Sequence, residues 1–228
     1  MQINTINMQP KYLERDVLRD SVVEVRFESH YNKEYIAKTI LEGHGMGEFQ
    51  TVNSPDDNGI FILNNTYRIQ VLHDMVSFNN IKTYQRWPNY STFIRSVINQ
   101  LLTLDSLNIS SVLIRYISMY PNVSIFDNLN GTKMKLNAFP SIDGTEIRFT
   151  MRIADEDHHF GIATVRLTDN LISQKDETKA SVVDIQIGAR CNNTNQDKIL
   201  EFIHTEEKNL YFSILNKHFI DSLGAHYE

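Results

Sequence analysis

From residue 21 the chain begins to alternate. In SVVEVRFES (21–29), Val23, Val25 and Phe27 fall on one side and Glu24, Arg26 and Glu28 on the other. A period of two over this length predicts a half-buried strand. KEYIAKTILEGHG (33–45) changes to helical spacing, with Tyr35, Ile36, Ile40 and Leu41 on one side and Gly43 where a C-terminal cap belongs. PDDNG (55–59) is turn chemistry, followed by the apolar run GIFIL. Asn64 and Asn65 turn the chain into a further extended run, YRIQVLHDMVSFNNI (67–81). WPNYSTFIRSVINQLLTL (87–104) is the clearest helix: Phe93, Ile94, Val97, Ile98, Leu101 and Leu104 form one stripe, and Ser91 is its expected cap. SSVLIRYISMY (110–120) reads as the next strand. The order is β-α-β-β-α-β, the split arrangement of a ferredoxin-like unit.

The second half has a different rhythm. Residues 143–155, 160–170 and 180–190 are three alternating stretches in succession, which predicts an antiparallel sheet. A weaker strand, KMKLNAF (133–139), precedes them, and a charged loop, QKDETK, separates the last two. DKILEFIHTEEKNLYFSILNKHFIDSLG (197–224) reads as helix, with Ile199, Ile203, Leu210, Ile214 and Phe219 on its buried side. Thr205 is where the pattern admits a break, so one long helix or two shorter ones fit. The expected class is α+β: an N-terminal ferredoxin-like βαββαβ unit (1–121), then antiparallel strands and C-terminal helices (122–228), as two halves or one continuous domain. Residues 1–20 read as a polar tail or lead-in.

Composition narrows the class. Of 228 residues, 41% are hydrophobic and 22% charged, as in an ordinary globular chain. The net charge of −6 disfavours a surface that grips nucleic acid throughout. A single cysteine, Cys191, excludes an internal disulfide. The N-terminus lacks a signal-peptide core, and no apolar run is long enough to span a bilayer, so the expected location is cytoplasmic, with no membrane partner. No phosphate-binding loop, nucleophile elbow or other cofactor motif occurs, so no cofactor is expected.

Chemistry concentrates first in ADEDHHFGI (154–162). It joins two alternating stretches, so it reads as a polar hairpin tip. Adjacent His158 and His159 point to opposite sides of an extended chain and cannot share one ion. The alternative is a metal site from Asp155, Asp157 and His159, completed by a ligand from elsewhere. Glu201 and His204 share a helical face at the spacing used in di-metal bundles, but no partner motif exists and a surface pair is expected. GHGMG (43–47) follows a helix rather than opening one, so it reads as a turn. The broader feature is arginine on polar strand faces: Arg26, Arg148, Arg152, Arg166 and Arg190, accompanied by Glu24, Glu146, Asp184 and Gln186. Either this is a solvated face laced with ion pairs or a polar concave surface that binds an acidic or polar partner. Arg115 shares a side with Leu113, Ile117 and Met119, expected to be the more apolar one, where it needs a carboxylate partner.

Three stretches together carry a resemblance. Arg26 and Phe27 end an early strand; Tyr84, Trp87 and Tyr90 or Phe93 precede and open the central helix; Ile114, Arg115, Tyr116 and Ile117 form an arginine-tyrosine strand motif; Ile203 and His204 sit on the last helix. In these the chain resembles a sporadically distributed, uncharacterised family of bacterial proteins, with Ser118 in place of that family's usual Asn. The resemblance implies no activity, and its patchy distribution points to bacterial defence or toxin neutralisation. The expectation is a non-catalytic, macromolecule-binding protein with a protein partner, using Arg26, Arg115, Tyr116, Arg148, Arg152, Arg166 and Arg190. The alternatives are a nucleic-acid-binding or RNA-processing protein and a metal-dependent hydrolase at residues 155–159.

Overall fold

The computed structural model describes residues 9–15, 17–43, 48–53, 59–81, 84–130, 145–172 and 179–227. Helices and strands are mixed, with strands predominating. The elements are β1 (Tyr12–Leu13), β2 (Leu18–Glu28), α1 (Lys33–Leu41), β3 (Gln50–Asn53), β4 (Ile60–Leu63), β5 (Tyr67–Val71), β6 (Met75–Asn80), α2 (Arg86–Leu101), β7 (Asn108–Pro121), β8 (Thr145–Ala154), β9 (Phe160–Ile172), β10 (Lys179–Arg190), α3 (Gln196–Ile214), α4 (Lys217–Ser222) and β11 (Ala225–His226).

Among the described residues nine strands form one antiparallel sheet in the order β3-β4-β5-β6-β2-β7-β10-β9-β8. β7 pairs with β2 on one side and β10 on the other, so the sheet runs without interruption from the first half of the chain into the second. Register explains the core. Ile62, Ile69, Phe78, Val23, Ile114, Ile187, Ala163 and Met151 are successive cross-strand partners across eight strands. All but Met151 are fully buried. The helices cover this row: α1 with Ile36 and Ile40, α2 with Ile94, Val97, Ile98 and Leu101, and α3 with Ile199, Leu200 and Ile203. Each such side chain contributes roughly 1.5–3 kcal/mol on burial. The strands' alternate residues form the opposite, more open face.

Several expectations change. Among the described residues four strands, not two, lie between α1 and α2, because β3 precedes GIFIL and residues 67–81 fold back at Leu72–Asp74 into β5 and β6. α2 begins at Arg86, with Pro88 in the first turn, where a missing N–H costs nothing. Ser91 is therefore inside the helix, bonded to the Pro88 carbonyl, and is not its cap. α3 runs through Thr205 and ends at Ile214; Asn216 then caps α4. Gly43 follows the end of α1, and a Cβ there would stand 3.0 Å from the Ile40 carbonyl. Within the lead-in, Tyr12 and Leu13 form a strand that pairs with His226 and Ala225. KMKLNAF, residues 44–47 of GHGMG, residues 55–58 and residues 174–178 of the charged loop lie outside the described residues.

Candidate functional site

The open face carries most of the expected arginines. Arg148, Arg166, Asp184 and Ile117 are successive cross-strand partners, and Arg115, Gln186, Thr164 and Thr150 form the adjacent row. Arg115, Arg148, Thr164, Arg166, Asp184 and Gln186 enclose a shallow cleft of about 120 Å³. Arg115 grips Asp184 through two hydrogen bonds, Nε to Oδ1 at 2.9 Å and Nη2 to Oδ2 at 2.8 Å. That fork raises the guanidinium's pKa further, against the opposing effect of burial. Arg166 lies 3.6 Å from Glu146. Among the described residues Arg148 has no acidic partner at ion-pair distance.

The ladder adds a detail. The Asp155 N–H donates to the His159 carbonyl, so residues 153, 151, 149 and 147 form the hydrogen-bonded pairs with β9. Arg148 and Arg166 are then a non-hydrogen-bonded pair, the type whose side chains stand closest. Like charges at such a position are unfavourable. The cleft wall thus carries three guanidinium groups against one lining carboxylate.

Arg115 corrects an expectation. It shares its face with half-buried Leu113, Ile117 and Met119, but the buried face of β7 is the other one: Val112, Ile114, Tyr116, Ser118 and Tyr120. Both faces of β7 are apolar in sequence because the strand is central in the sheet. Tyr116 accordingly faces away from Arg115, under the helices, where its hydroxyl meets that of Tyr84 at 2.9 Å. Arg26 lies away from the cleft on the same open face, near Glu24 at 3.4 Å and Asp74 at 3.7 Å. Arg152 is exposed on that face opposite Ile162, and Arg190 is exposed at the end of β10 opposite Ser111. Thr164 is a cleft residue not singled out by the sequence; its place between Ile162 and Arg166 in the alternation is the signal that marks it.

The hairpin tip forms a second cluster. His158 takes a positive φ of 63°, which turns β8 into β9. Asp155 accepts the His159 backbone N–H at 2.8 Å, and its other oxygen lies 2.7 Å from His159 Nδ1. Desolvation works upward on Asp155, but the contacts from His159 outweigh it and hold its carboxyl below the usual value. Donor atoms of Asp155, Asp157 and His159 lie within 4.8 Å of one another, so these three are able to converge on a cation. They line a hollow of about 560 Å³ that also includes Arg95, Glu201 and Phe202. Glu201 does not act with His204 as a ligand pair. It accepts from Arg95 and from Trp87 Nε1, while His204 stacks on the Trp87 ring at 3.9 Å.

A third cluster is buried between β7 and α3. Glu207 is 5% exposed and its carboxyl is pushed up to about 8 by burial, with Tyr84, Tyr116, Tyr120 and Tyr211 nearby. His204, one turn earlier, is pushed down to about 3 by burial and then by Lys208. Glu207 stands four residues after buried Ile203, so the helical stripe itself marks the position. Cys191 is half-buried, and burial pushes its thiol up to about 11, away from nucleophilic thiolate chemistry.

Among the described residues no helix is long and apolar enough to cross a membrane. Comparison with protein-family models and with curated proteins finds no match for this chain.

Proposed function

We propose that the protein acts by binding a partner macromolecule on the open face of its sheet, with the Arg115–Arg148–Arg166 cleft receiving an acidic group of a partner protein. The observation that carries this reading is the like-charge pair Arg148–Arg166. A fold gains nothing from opposing two arginines at the closest cross-strand position, and such local violations mark functional surfaces. An incoming carboxylate offsets the repulsion and takes the forked hydrogen bonds that guanidinium groups offer. The cleft volume of about 120 Å³ suits one acidic group rather than a nucleotide-sized ligand.

The scaffold reading belongs to the same proposal. Strands β5, β6, β2 and β7 follow the order of a ferredoxin-like unit enlarged by β3 and β4. A bacterial setting in defence or toxin neutralisation rests on the resemblance alone, and a cytoplasmic location on the sequence expectation.

Capture from native cells tests the reading. The wild-type chain retrieves a specific acidic protein, and the double variant Arg148→Glu, Arg166→Glu does not. Equal retrieval by both contradicts it. A nucleic-acid partner is the second reading, favoured by Phe160 and Ile162, which are 67% and 57% exposed on the same face beside Arg152. Phe160 offers a stacking platform for a base. A binding constant that falls steeply with salt on single-stranded RNA or DNA selects that alternative.

A further inference from the structure

We infer that the outer edge of β8 is a strand-addition site for an extended, acidic segment of a partner protein. This rests on the binding reading above and names the form of the partner.

The ladder shows which backbone groups are available. Because residues 147, 149, 151 and 153 direct their N–H and C=O toward β9, residues 146, 148, 150, 152 and 154 direct theirs outward. Among the described residues β8 is the last strand of the sheet, and its ten residues contain no proline and no register shift against β9. Proline and bulges are usual devices for blunting such an edge. Among the described residues, none from 146 to 154 makes a hydrogen bond across that edge.

The side chains select the occupant. On the open face the edge carries Glu146, Arg148, Thr150, Arg152 and Ala154, all exposed, and Glu146 is engaged by Arg166 at 3.6 Å, which leaves Arg148 and Arg152 as the charges that face an incoming strand. On the helix face it carries Ile147, Phe149, Met151 and Ile153, all half-buried. An added strand alternates between these faces. Acidic residues at every second position meet Arg148 and Arg152, while apolar residues between them complete the cover of Phe149 and Met151. A second copy of β8 is disfavoured, because its own arginines would meet these. The acidic group nearest Arg148 is the one that reaches the cleft, so strand addition and anion binding are parts of one mode of recognition.

The test uses the full chain and the peptide Val-Glu-Val-Glu-Val-Glu-Val. Hydrogen exchange of the Arg148, Thr150 and Arg152 amides slows by about tenfold or more on peptide binding, and N-methylation of the peptide amides that face β8 weakens binding by about tenfold or more. Thr150→Pro removes one outward N–H; it keeps the wild-type melting temperature and loses peptide affinity. An N-methylated peptide that binds as well as the parent, with exchange at 148, 150 and 152 unchanged, overturns strand addition while leaving the cleft reading intact. A peptide with Lys in place of Glu that binds as well as the parent overturns both.

Discussion

At the residue scale, Arg148 is the side chain whose position costs stability. It opposes Arg166 at the closest cross-strand distance. Arg148→Glu replaces repulsion with attraction, and chemical denaturation will show the variant more stable by roughly 0.2–1 kcal/mol. Binding of an acidic partner will fall in the same variant. A loss of stability instead would mean that Arg148 supports the fold. Much of this was legible from alternation, which assigned Arg148, Arg152, Arg166 and Arg190 to polar faces. Arg115 was not, because Leu113, Ile117 and Met119 suggest burial as strongly as Val112, Ile114 and Tyr116 do. Only the side on which the helices lie decides between them. The Asp184 partner was likewise hidden: it lies 69 residues away in sequence.

At the element scale, the β8–β9 hairpin has two kinds of position that sequence alone does not distinguish. Met151 sends its N–H into the ladder with β9, whereas Thr150 does not. Met151→Pro should therefore cost about 1–3 kcal/mol through a lost ladder bond that leaves a carbonyl of β9 unpaired. Urea unfolding of that variant beside Thr150→Pro checks the assignment; equal destabilisation would contradict the inferred parity. The helices were legible in their apolar stripes, but their ends were less so. Ser91 has cap chemistry, yet Pro88 is compatible with the first turn and the helix starts earlier. β5 and β6 were read as one run because the Leu72–Asp74 turn holds neither glycine nor proline. β3 went unread because its four residues are all exposed and carry no alternation.

At the scale of the whole molecule, the class was legible and the continuity of the sheet was not. The pairing of β7 with β10 spans a long sequence separation and leaves no local signal. The same distance hides the buried cluster where Glu207 and His204 on α3 meet Tyr84, Tyr116 and Tyr120, with Tyr211 and Lys208 on α3 itself. This cluster sets a pH dependence. His204 falls from 6.5 to about 3, so the unfolded chain gains a proton first and stability declines as pH drops through that window. Glu207 rises from 4.5 to about 8, so the folded chain keeps a proton that the unfolded chain loses, and stability declines as pH rises through that window. The two slopes oppose each other between pH 4.5 and 6.5. Glu207→Gln removes the alkaline loss. Its stability relative to wild type should grow by about 1.4 kcal/mol per pH unit across the Glu207 window and be flat outside it. Denaturant titrations at a series of pH values read this directly; a difference independent of pH would place Glu207 in contact with solvent.

The central claim is that the open, arginine-bearing face of the sheet is the working surface. Its most direct test is nuclear magnetic resonance of the full chain titrated with the captured partner, following the side-chain Nε–H signals of Arg115, Arg148 and Arg166. On engagement of this face these signals, with the amides of β8 to β10, shift together at one affinity. Shifts confined to α1, α2 and α3, with the three arginine signals unmoved, would contradict it.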